Sequence, residues 1–89
     1  MKLVVAIVKD SDAMNVSDAL VAQSFRVTRI ASTGGFLRRG NVTLLVGVDD
    51  DAVDAVLDIL HETCRPPDTP DAHRATVFVL PAEDFVQVG

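Results

Sequence analysis

Tryptophan and tyrosine are absent from this 89-residue chain, and cysteine occurs once, at Cys64. One cysteine closes no internal disulfide, which fits a reducing compartment. Together with His61 and His73 it gives too few and too scattered ligands for a usual zinc site. Positive charge is also scarce. Eight Lys and Arg against thirteen Asp and Glu leave a net charge of −5, which argues against a protein that holds duplex DNA by bulk charge. Long apolar runs are missing too, since Leu3–Val8 is too short for a membrane span or a secretory signal. The expectation is a soluble, cytoplasmic protein with neither DNA nor membrane as partner. What the chain does have is an ordinary globular balance, 48% hydrophobic and 24% charged, which excludes a disordered segment. A chain of this size buries only about 60% of its unfolded surface. With no disulfide to compensate, association with copies of itself is expected.

Chemistry-bearing motifs are missing as well. There is no nucleophile elbow, no phosphate-binding GxxxxGK[ST] and no pair of carboxylates in an apolar setting. Asp49–Asp51 reads as a solvated helix start, Cys64 as a buried small hydrophobe, and His61 and His73 as surface residues. No catalytic residue, metal site or cofactor is expected, and the chain reads as a non-enzyme.

The order of elements is clear. Leu3–Val8 is a β-branched run suited to a strand buried on both faces. Asp10 or Ser11 then caps a helix whose stripe is Ala13, Val16, Leu20 and Gln23, widened by Ala19. Phe25–Ile30 alternates as a half-exposed second strand, with Phe25, Val27 and Ile30 near one side and Arg26 and Thr28 on the other. A loop from Thr33 to Gly40 leads to a third strand, Asn41–Val48. Asp49–Asp51 opens a second helix with the stripe Val53, Val56, Leu57, Leu60 and Cys64, stopped by Arg65-Pro66-Pro67. Thr76–Leu80 is the fourth strand, ended by Pro81, and the tail through Phe85 forms a short turn or helix. The order β-α-β-β-α-β predicts an α+β fold, an antiparallel four-stranded sheet with two helices on one face. Its other face is open and invites burial against copies. Residues 1–89 show no internal boundary and read as a single domain.

One stretch stands out, RVTRIASTGGFLRRGNVTLLVG, from Arg26 to Gly47. Within eight residues it gathers the adjacent Gly34 and Gly35, the Phe36 ring, Leu37, two arginines, Gly40 and Asn41. An aromatic ring that stacks on a base, an amide that reads its edge and cations that face phosphate suit a nucleotide. The plainer alternative is a Gly34-Gly35 hairpin turn with Phe36 on the core and arginines keeping the tip soluble.

With KLVVAIVKDSDA at the start, FRVTRIASTGGFLRRGNVTLLVGVDD in the middle and ATVFVLPAEDF near the end, the chain resembles the PII-like cyclic di-AMP receptor family. The resemblance implies a ferredoxin-like βαββαβ subunit, a homotrimer, and cyclic di-AMP held in clefts between subunits. Carried over residue by residue, it places Arg26 and Thr28 facing the ligand cleft. It also puts Gly35, Phe36 and Leu37 in the loop that touches the nucleotide, with Phe36 as the stacking ring. Asn41 and Gly47 fall at the purine pocket, Asn41 by its side chain and Gly47 by close backbone approach, and Gln87 near the C-terminus is a further ligand contact. The chain departs from the family at Arg65–His73, a short connection where members carry a long loop. That departure motivates an alternative, a PII-like module that recognises another adenine nucleotide or a protein partner. The large loop and modifiable tyrosine of the nitrogen-regulatory PII proteins are both absent, which disfavours that route of signalling.

Overall fold

The computed structural model describes residues 1–31, 40–64, 66, 75–84, 86 and 88. They form β1 (Lys2–Lys9), α1 (Asp10–Ala22), β2 (Val27–Ala31), β3 (Asn41–Val48), a 3-10 turn (Asp50–Ala52), α2 (Val53–Thr63) and β4 (Ala75–Pro81). The strands make one antiparallel sheet in the order β2-β3-β1-β4. This is the expected α+β, ferredoxin-like βαββαβ arrangement.

Period-two alternation decides which side chains meet the helices. Val4, Ala6 and Val8 of β1 and Val42, Leu44, Val46 and Val48 of β3 are buried on the helix side. Register keeps these sets together: Val4 lies between Val46 and Val79, and Ala6 between Leu44 and Val77. Ala13, Val16 and Leu20 from α1 and Val56 and Leu60 from α2 close the core, joined by Cys64 just after α2. Both helical stripes therefore pack as their spacing predicts, except that Gln23 is the exposed C-cap residue of a helix ending at Ala22.

Several expectations need correction. β1 is apolar on both faces but deeply buried on one only; Leu3, Val5 and Ile7 are half-buried on the side away from the helices. β2 begins at Val27, because the chain turns through Ser24 at φ 68° and the Phe25 amide still donates to the Leu20 carbonyl. Ile30 does not share a face with Val27. It pairs with Thr43 on the Thr28 side and is 45% exposed, as strict alternation requires. The N-cap residue of α1 is Lys9, whose side chain makes no cap hydrogen bond, and Asp10 already lies in the helix.

The second helix opens through the 3-10 turn, with Asp49, Asp50 and Asp51 exposed as expected. Asp50 Oδ1 lies 3.0 Å from the ammonium of Met1. That hydrogen bond, reinforced by the ammonium's charge, holds the Asp50 carboxyl below its ordinary value of 3.8. A depressed carboxyl contributes stability that is present above the unfolded value and lost as pH falls through the folded one. The effect is small, because the Asp50 side chain is well exposed. Melting temperatures of the parent and Asp50→Asn are thus expected to differ slightly at neutral pH and to converge below pH 3.8. A gap that persists in strong acid would assign the effect to something other than this pair.

Candidate functional site

The side of the sheet away from the helices carries most of the residues singled out from the sequence. On β3 it presents Asn41, Thr43, Leu45 and Gly47, and on β2 Thr28 and Ile30, with Thr28 opposite Leu45. Arg26 immediately precedes β2 and is exposed. It adjoins Val27, which faces Val46, the neighbour of Gly47 on β3. Arg26, Thr28 and Gly47 therefore form one group, in which a guanidinium, a hydroxyl and a strand position without a side chain stand together. Such a group offers charge-assisted donors to a phosphate and room for close approach of a flat ring.

Asn41 belongs to a different group. It is the first residue of β3, six positions from Gly47, which at the rise of a strand is about 20 Å away. Its neighbours are Lys9 across the ladder and Gly40 before it, the latter at φ 89°. Gly40 ends the connection that carries Gly35, Phe36 and Leu37. Those three residues, together with Gln87, His73, Phe85 and Arg65, lie outside the described residues, and Ala75 opens β4 after the short connection.

The remaining surface of this face is largely apolar, with Thr76 and Lys9 toward one end. Leu3, Val5 and Ile7 run along its centre, while Phe78 and Leu80 of β4 are 52% and 46% exposed. No described element covers them. Elsewhere His61 is exposed and Cys64 is buried, as expected. Sequence reasoning misses two residues. Asp12 is fully buried in the first turn of α1, where the helix dipole favours a carboxylate; its place among helix-entry residues signals only solvent. Arg29 looks like one more polar residue of an alternating strand, yet it reaches Asp10 at the start of α1. Among the described residues no three His, Cys, Asp or Glu gather as metal ligands, and no helix is long and apolar enough to cross a membrane.

Fold and surface together define a small ferredoxin-like module that presents a guanidinium, a hydroxyl and a strand position without a side chain beside a largely apolar sheet face. The family follows from comparison: residues 1–71 match the family described as cyclic-di-AMP receptor, and the chain belongs to it. A crystal structure of a functionally unknown protein from Pediococcus pentosaceus ATCC 25745 is similar along almost the whole length. It is 39% identical with a TM-score of 0.77, covering 98% of this chain and 96% of that one.

Proposed function

We propose that this chain is a non-enzymatic signal-transduction receptor that binds cyclic di-AMP in clefts between the subunits of a cytoplasmic homotrimer, with residues 1–89 acting as one PII-like domain. The observation that carries the reading is the separation of the two polar groups. Asn41 and the Arg26–Thr28–Gly47 group sit at opposite ends of β3, about 20 Å apart, so one subunit cannot bring them to one base. A neighbouring copy that covers the apolar sheet face supplies the missing half. In such a cleft Asn41 reads an adenine edge, Arg26 and Thr28 hold a phosphodiester, Gly47 leaves room for the purine, and Phe36 stacks. Gly35, Leu37 and Gln87 complete the contacts. Membership of a receptor family supports the ligand.

Calorimetry with the purified protein tests this. Micromolar or tighter binding of cyclic di-AMP, one ligand per subunit, is expected, with ATP, ADP and cyclic di-GMP much weaker. Heat from another adenine nucleotide and none from cyclic di-AMP would favour the alternative module, for which the short Arg65–His73 connection is the motive. Phe36→Ala is expected to weaken binding about fivefold or more, since stacking contributes about 1–3 kcal/mol per base. The melting temperature should hold. Parent-like affinity in that variant would remove Phe36 from the site.

A further inference from the structure

We propose that Asp10 is a positioning residue for the nucleotide-binding connection: it ties both flanks of residues 32–39 to the start of α1, and ligand affinity depends on it although it does not touch the ligand. The inference rests on the receptor reading above.

Two separate bonds converge on this residue. β1 ends at Lys9, which pairs with Asn41, and α1 begins one residue later. The first amides of a helix have no acceptor within it. The Asp10 amide finds one in the Gly40 carbonyl, donating to it at 2.6 Å. Gly40 is the residue that leaves the connection, and it sits at φ 89°, where a side chain would be strained. On the entering flank, Arg29 of β2 brings its Nη2 to 3.5 Å from Asp10 Oδ1. Arg29 lies on the helix side of the sheet, opposite the buried Leu44, and so is directed toward α1. One residue therefore holds the strand that enters the connection and the glycine that leaves it.

The energetic consequence is a linkage. If these bonds favour the arrangement of the flanks that binds ligand, ligand must strengthen the bonds by the same factor. The main-chain bond is the stronger of the two. The ion pair is long and its side chains are 47% and 66% exposed, so water screens it. Removing the carboxylate alone should cost little, and removing the amide as well should cost more.

Substitutions at one position separate these contributions. Asp10→Asn deletes the charge at nearly constant size. Asp10→Pro deletes both the carboxylate and the N–H. Proline suits the first position of a helix, and Lys9, at φ −64° and ψ 143°, already has the extended backbone that proline demands of its predecessor. Asp10→Glu keeps the amide and the charge. By calorimetry, cyclic di-AMP affinity is expected to fall about twofold in Asp10→Asn and about fivefold or more in Asp10→Pro, and to return nearly to the parent's in Asp10→Glu. In the parent, hydrogen exchange of the Asp10 amide should slow when the ligand is added.

Parent-like affinity in both Asn and Pro variants overturns the proposal, as does Asp10 exchange that ignores the ligand. A lowered ligand-free melting temperature with unchanged affinity would make Asp10 merely structural. Should Asp10→Pro fail to fold, Asp10→Asn and Arg29→Gln decide the question through the same affinities and exchange rates. A parent that binds no cyclic di-AMP overturns the receptor reading itself, and this proposal with it.

Discussion

Val5→Glu is expected to abolish assembly and cyclic di-AMP binding together while the subunit stays folded. Val5 sits at the middle of the apolar sheet face, between Leu45 and Phe78, and its side chain points away from the core of Val4, Ala6 and Val8. In a lone subunit the new carboxylate stays hydrated, so the fold loses little. In an assembly that buries this face, an unpaired charge costs several kcal/mol, and rotational symmetry repeats the cost in every subunit. Light scattering should give about 28.5 kDa for the parent, three times the 9.5 kDa chain, and a single chain's mass for the variant with an unchanged circular dichroism spectrum. A monomeric parent would contradict the trimer. A Val5→Glu protein that still assembles and binds would place the interface elsewhere.

Leu44→Ala is expected to act on the opposite side of the same sheet. Leu44 is fully buried on β3, paired with Ala6 on one side and Arg29 on the other, beneath the helix layer. Truncating a buried leucine costs about 2–5 kcal/mol, the spread reflecting how far the site collapses. Domains of this size have only about 5–15 kcal/mol in total, and each kcal/mol moves the midpoint by several degrees, so a drop of more than about 10 °C is expected. Leu45→Ala, one residue along and only half-buried, is the control, with a much smaller effect on a lone subunit. Equal losses from the two on a lone subunit, measured in the Val5→Glu background, would mean that β3 is covered on both sides within one chain.

These neighbouring residues show how far the sequence can be read. Helix α2 is fully legible because its stripe repeats at helical spacing and the proline after it forbids continuation. The bounds of β3 are legible for a similar reason, with glycine before it and three aspartates after. β1 is harder. Its run is apolar at every position, and a sequence cannot say whether the second apolar face meets a helix of the same chain or another molecule. Ile30 misleads because its hydrophobicity points one way and strict alternation the other, and the exposed isoleucine is what a surface awaiting a partner looks like. Asp12 and Arg29 depend on where α1 starts relative to β2, a tertiary relation that local pattern does not record. Arg26 and Thr28 are legible as a pair because they share the polar side of an alternating stretch, but that Gly47 stands at their end of β3 and not beside Asn41 follows only from the pairing of β2 with β3. The distance of that group from Asn41 emerges only when β3 is laid out in space.

The edge strand β4 bears on solubility. Ala75–Pro81 carries no charged residue, pairs among the described residues with β1 on one side only, and exposes Phe78, Val79 and Leu80 on both of its faces. An uncharged, β-prone edge is a template on which further strands add, the first step toward fibrous aggregates. Sequestering that strand within an assembly would keep the chain dispersed as well as build its clefts. Variants that release single subunits, Val5→Glu among them, should then be the ones that precipitate on concentration.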